Sequence, residues 1–146
     1  DNRLQLFDVL EFILAKTGPA KVYVSTFSTS EEFLRRLFSL RKRGLILHSV
    51  LMADLKAAKK TVNLYTFMGA VFDDVYLTEK HSKVLLVENE RWMVTVVTSQ
   101  NQTRGNRTEC SIITTQPDIF LTLRDQFSDI INTRSIHLHG INFSTD

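Results

Sequence analysis

The sequence predicts an α/β protein, a mixed β-sheet with helices on both faces, and three observations carry that expectation. Over the first half of the chain, amphipathic segments of helical period alternate with short runs rich in β-branched and aromatic residues. That alternation implies helical crossovers between parallel strands. Between about residues 75 and 115 four such short runs follow one another, as antiparallel neighbours do. A last amphipathic segment after Pro117 gives the order helix, strand, helix, strand, helix, strands, helix.

Each element has its own cause. Leu4, Phe7, Leu10, Ile13 and Leu14 recur at helical spacing, and Thr17-Gly18-Pro19 ends that first helix. Lys21 to Phe27 suits a buried strand. Ser28-Thr29-Ser30 before Glu31 and Glu32 offers two overlapping capping boxes for a second helix with Phe33, Leu34, Leu37, Phe38 and Leu40 inward. Arg41-Lys42-Arg43 and then Gly44 close it, cations at the negative terminus and a glycine just beyond. Leu45 to Met52 reads as a second strand, and Asp54 as the cap of a third helix reaching about Val71. Strands are expected near 75–79, 81–88, 91–99 and 108–115. Pro117 opens a helix with Ile119, Phe120, Leu123, Phe127, Ile130 and Ile131 inward. Residues 134–146 read as a short terminal strand or a tail.

A chain of 146 residues, 43% hydrophobic and 23% charged, is expected to form one soluble domain over residues 1–146 with a substantial core. The net charge of +2 does not by itself announce a nucleic-acid protein, so any electrostatic footprint must come from local clustering. The single cysteine, Cys110, excludes an intrachain disulfide framework, fits a reducing, cytoplasmic interior, and reads as a small buried hydrophobe. No apolar run reaches the roughly 18 residues of a membrane helix. Residues 4–14 are interrupted by Asp8 and Glu11 and lack a basic leader, unlike a signal peptide. The start at Asp1 leaves open that the chain is a piece of a longer one.

The chemistry concentrates between His81 and Glu109. His81 and Lys83 are two apart in strand-like sequence, so both side chains leave one face of the sheet. The next apolar run, Trp92 to Val97, breaks into Thr98-Ser99-Gln100-Asn101, where polar groups again sit two apart. A hairpin is expected to bring the two polar pairs to one rim, assembling a phosphate site from an imidazole, an ammonium, a hydroxyl and an amide. Arg104 and Arg107, in a loop beside it, read either as grips for neighbouring phosphates or as ordinary loop charges.

These residues resemble the phospholipase D superfamily. Its His-x-Lys motif matches His81 and Lys83, the acidic residue five positions after the lysine matches Glu88, and its serine and asparagine match Ser99 and Asn101. Glu109 stands where family members place a glutamate that holds the catalytic histidine. The form TSxNxTRGNRxE is similar to small nuclease-like members. Glu88 stands in place of the usual aspartate, Thr98 in place of the usual glycine, and the segment between them is longer than in the common form.

The resemblance covers nearly the whole chain and implies the family's half-unit fold and a two-step phosphodiester transfer. His81 would attack phosphorus and form a phosphohistidine, while a second histidine protonates the leaving oxygen and later activates water. Lys83 and Asn101 would orient and neutralise the non-bridging oxygens, Ser99 would add a hydroxyl, and Glu109 would orient His81. No cofactor or metal is expected, because lysines and histidines supply the positive charge. Since one His-x-Lys occurs where the mechanism needs two, the resemblance implies a homodimer with a shared site. The expected substrate is nucleic acid, with DNA favoured over lipid because no amphipathic membrane surface is evident. A DNA-binding module that keeps the phosphate site without turnover is the alternative, and a lipid phosphodiesterase the third reading.

The remaining signals read as structural. His48 reads as a satisfied strand histidine, and His137 and His139 as strand histidines with no acidic or cysteine residue close by in sequence. Arg35, Arg36, Arg41, Lys42, Arg43, Lys56, Lys59 and Lys60 read as solvated faces, with a polyanion groove as the alternative.

Overall fold

The computed structural model describes residues 6–26, 30–57, 65–79, 83–103 and 106–138, the backbone alone being described at 57, 65–66, 99–103 and 106–110. Helix α1 (Leu6–Thr17) buries Phe7, Val9, Leu10, Ile13 and Leu14. It stops at Gly18, whose φ of 78° turns the chain into β1 (Ala20–Thr26). Helix α2 (Glu31–Lys42) buries Leu34, Leu37 and Leu40. Its cap is Ser30, whose hydroxyl accepts the Phe33 amide at 3.1 Å, rather than Ser28 or Thr29, which lie outside the described residues. Phe38 is 36% exposed, because one residue past Leu37 is roughly 100° around the helix and at the margin of its apolar stripe. The Lys42 ammonium covers its ring.

The end of α2 closes as its composition requires. The Gly44 amide reaches Arg41 O at 2.9 Å and the Leu45 amide reaches Leu40 O at 3.1 Å, with Gly44 at φ 78°. This pair of bonds is a Schellman closure, which satisfies two terminal carbonyls and needs a left-handed residue. An added Cβ at Gly44 would meet nothing within 4 Å. Gly44→Ala is therefore expected to cost about 1 kcal/mol from backbone strain alone, read by urea unfolding with an unchanged m-value.

β2 (Ile46–Asp54) follows, then a single 3₁₀ turn at Leu55–Ala57 and helix α3 (Tyr65–Val71). The continuous third helix expected from Asp54 is thus absent at its start. The Asp54 carboxylate instead accepts the Lys56 amide at 2.7 Å and holds a tight turn. The chain continues through β3 (Asp74–Thr78), β4 (Lys83–Glu88), β5 (Met93–Thr103) and β6 (Asn106–Thr114). It ends in α4 (Pro117–Thr133) and β7 (Ser135–His137). Among the described residues no helix is long and apolar enough to cross a membrane.

One seven-stranded sheet has the order β6-β5-β4-β1-β2-β3-β7. β1, β2 and β3 are parallel neighbours. β4 joins β1 antiparallel, β5 and β6 extend that side as antiparallel hairpins, and β7 pairs antiparallel with β3. Both faces are covered, and strand alternation sorts the core into two layers. Val22, Val24, Leu51, Ala53, Val75, Leu77, Leu85 and Val87 pack with α1, α2 and α3. Met52, Val84, Leu86, Tyr23, Tyr76 and Met93 pack with Phe120 and Phe127 of α4. The fold is the expected α/β arrangement with a mixed sheet. Ile119, 43% exposed, corrects the predicted inner face of α4. It sits roughly 100° from Phe120 and so falls outside the stripe that Phe120 and Phe127 define.

Candidate functional site

The three parallel strands end together, and each ends on a polar residue. Thr26 closes β1, Asp54 closes β2 and Thr78 closes β3. All three are buried, at 6%, 0% and 1% exposure. Because β4 runs antiparallel to β1, with Ser25 opposite Val84, its first residue, Lys83, arrives at the same end. β5 then brings Thr98 directly opposite Lys83. A rim of Thr98, Lys83, Thr26, Asp54 and Thr78 therefore crosses five adjacent strands. In open α/β sheets this carboxyl end of the parallel strands, where the connections diverge to opposite sides, is where ligands bind. Here β1 lies between β2, its parallel neighbour through a crossover, and the antiparallel β4.

The predicted residues distribute on this rim as follows. Lys83 is half-buried at the head of β4. His81, two residues before it, and Arg104 lie outside the described residues. Ser99 and Asn101 do not terminate a strand, because β5 continues through Thr103 and pairs with β6 to the end. In register, Ser99 is opposite Cys110, Gln100 opposite Glu109, Asn101 opposite Thr108 and Gln102 opposite Arg107. The backbone thus brings the segments holding Ser99, Asn101, Arg107 and Glu109 onto one hairpin that extends past Lys83. The side chains of 99–110, that of Cys110 included, lie outside the described residues. The residue facing Lys83 is Thr98, one position short of Ser99, and its hydroxyl lies 3.2 Å from that of Ser111.

Two polar clusters brace the sheet through partners far apart in sequence, one at Glu88, which the sequence already suggested as a structural residue, and one at Asp73. Glu88, five residues from Lys83 at the far end of β4, accepts the Tyr23 hydroxyl at 2.8 Å and the Arg124 guanidinium at 3.0 Å. It thereby ties β4 to β1 and to α4. Burial, and then the hydrogen bond to Glu88, push the Tyr23 phenol up to about 12. Glu88 is thus a structural clamp, with both oxygens engaged. The second cluster surrounds Asp73, just before β3. Arg41 pairs with both its oxygens at 2.7 and 3.1 Å, and the Ser49 amide donates to it at 2.8 Å. Burial opposes the charge on Asp73, but the bonds from Arg41 and Ser49 outweigh it and hold the carboxyl below its ordinary value.

Those contacts speak against the alternative of a polyanion groove for the described cations of α2, which lie at the surface in ion pairs. Arg41 is committed to Asp73, Arg36 to Asp8 at 3.1 Å, Arg43 to Glu11 at 3.6 Å and Arg35 to Glu31. Arg36 also lies 3.9 Å from the centre of the Phe7 ring. Arg36 and Arg43 join α2 to α1, Arg41 joins it to the residue before β3, and Arg35 pairs within α2, while Lys59 and Lys60 lie outside the described residues. The one signal that could have found the rim from sequence is the polar residue closing each apolar strand, at Thr26, Asp54 and Thr78.

Neither the protein-family models nor the curated proteins give a match to this chain.

Proposed function

We propose that the chain is a metal-independent phosphodiesterase acting on nucleic acid, with DNA the favoured polymer, through a phosphohistidine on His81 in a site shared by two copies. The observation that carries this reading is Lys83 at the head of β4, on the ligand-binding end of the sheet and paired in register with the start of the Thr98–Asn101 stretch. Two residues upstream, His81 has the motif spacing to serve the same rim. A His81 nitrogen attacks phosphorus and the P–O bond to the leaving alkoxide breaks. His81 of the second copy supplies that oxygen's proton. Water then attacks the phosphohistidine, giving up a proton to the same second histidine, and His81 is restored. Lys83 and Asn101 compensate the charge that builds on the non-bridging oxygens. Glu109 orients His81, and Arg104 and Arg107 hold flanking phosphates.

One observation favours a second reading, a DNA-binding module without turnover. Thr98 stands where the family carries glycine, and its side chain is buried opposite Lys83 with its hydroxyl against Ser111. A side chain there reduces how closely backbone and phosphate approach. Incubation with single- and double-stranded DNA and a simple phosphodiester, in chelator, separates the two. The enzyme reading expects cleavage. Salt-dependent DNA binding with no cleavage of any substrate selects the binding module.

A further inference from the structure

The β5–β6 hairpin outruns the rest of the sheet. β4 begins at Lys83, opposite Thr98, whereas β5 and β6 keep pairing from Ser99 opposite Cys110 to Thr103 opposite Asn106. Among the described residues that extension pairs with no other strand. It is a two-stranded ribbon about 17 Å long that starts at the rim. Every residue at 99–103 and 106–109 is polar, so burial of apolar side chains does not account for it. A two-stranded ribbon on its own is marginal in water, and a partner covering it would supply what the core does not.

Register divides the residues of this ribbon between two faces. Val94, Val96 and Thr98 alternate on the side of β5 that carries α1, α2 and α3, and Lys83 joins them through its pairing with Thr98. Gln100 and Gln102 fall on that same face, in register with Glu109 and Arg107. An amide is uncharged and offers both a donor and an acceptor, which suits the N6 and N7 edge of adenine rather than a phosphate. Arg107 and Glu109 bring one charge of each sign, so the face adds little to phosphate attraction. The spacing fits as well. Alternate residues of a strand stand about 6.8 Å apart, which is about two base-pair steps of a duplex. The major groove of B-form DNA admits a two-stranded ribbon, whereas side chains cannot read the narrow major groove of A-form RNA.

We propose that the Lys83 face of the ribbon enters the major groove of duplex DNA beside the scissile phosphate, with Gln100 and Gln102 reading base edges. The proposal rests on nucleic acid as the substrate, but not on turnover. Fluorescence anisotropy of the full chain against short DNA duplexes of varied sequence tests it, with single strands and RNA duplexes of the same sequences alongside. A His81→Ala background keeps the duplexes intact, and cleavage of a simple phosphodiester by the wild-type chain is followed separately. DNA duplexes are expected to bind tighter than single strands or RNA, with adenine preferred at two positions two base pairs apart. Gln100→Ala and Gln102→Ala are each expected to lower that preference about 5- to 100-fold at one position, with the salt dependence of binding unchanged. Thr108→Ala, on the other face of the ribbon, is expected to leave the preference as it was. Adenine preference without phosphodiester cleavage supports the ribbon proposal and removes the enzyme reading. Phosphodiester cleavage by a chain that binds all DNA duplexes alike removes the ribbon proposal and leaves the enzyme reading. The proposal is also overturned if duplex DNA does not bind or binds no tighter than single strands or RNA. The same holds if adenine is not the preferred base, if both glutamine variants keep the preference, or if Thr108→Ala loses it.

Discussion

On the proposed phosphodiesterase reading, His81→Ala is expected to lower cleavage by about 10⁴-fold or more, because it would remove the nucleophile and, in the second copy, the proton donor. Lys83→Ala is expected to cost about 10²- to 10³-fold, the usual loss when one donor to a developing oxyanion is removed. Lys83→Arg should recover only part of that, since a planar fork replaces a compact charge. A radiolabelled substrate quenched during turnover should leave a phosphoryl adduct on wild-type protein that is stable in base and lost in acid. Cleavage by His81→Ala at the wild-type rate, or an adduct on a different residue, removes the mechanism.

The proposed sharing of the site by two copies makes a second demand on the same variant. If each site needs one histidine from each copy, a mixed dimer of wild type and His81→Ala has no complete site. Activity after mixing and re-equilibration should then fall faster than the wild-type fraction, approaching its square. A linear fall means each copy carries a complete site. The two outcomes differ most at equal mixing, where about one quarter rather than one half of the activity remains.

How much of this was legible in the sequence depends on what kind of signal each feature carries. Helix α1, the parallel core strands and the Gly44 closure follow from local pattern, and pattern is what a sequence displays. Phe38 and Ile119 were misplaced because a stripe read from apolar residues has soft edges, whereas burial is decided by the neighbouring layer. The extension of β5 through Thr103 was hidden by its polar composition: a ladder with β6 holds it as strand despite weak intrinsic preference. The cations of α2 were illegible for a different reason. Arg41 meets Asp73, and Arg36 meets Asp8, over separations that only the fold closes. The same holds for His137, whose acidic partner Asp74 is far away in sequence and 3.1 Å away in space. Lys83 was legible as a candidate because its motif is local, and its position on the rim followed once β4 was known to run against β1.

Glu88→Ala is expected to destabilise the fold by about 2–3 kcal/mol while leaving the residues of the rim in place. Glu88 has 14% of its side chain exposed and Arg124 has 36%. Removing the carboxylate leaves the Tyr23 hydroxyl without its acceptor inside the α4 layer. Each buried polar group so orphaned costs about 1–3 kcal/mol, and Arg124 falls toward the lower end because water reaches it. Glu88→Asp is expected to lose less, since a carboxylate one methylene shorter keeps one of the two partners. The phenol reports the same contact directly. Its folded value, about 12, lies above the ordinary 10.0, so the stabilisation it adds is fully present below pH 10 and is lost as pH rises through 12. In Glu88→Gln the Tyr23 phenol should titrate lower than in wild type yet above an exposed tyrosine, because burial remains when the charge is gone. Ultraviolet titration against Tyr23→Phe identifies the transition. A Tyr23 titration unmoved by Glu88→Gln, or full stability in Glu88→Ala, means that the clamp between β1, β4 and α4 does not hold the sheet.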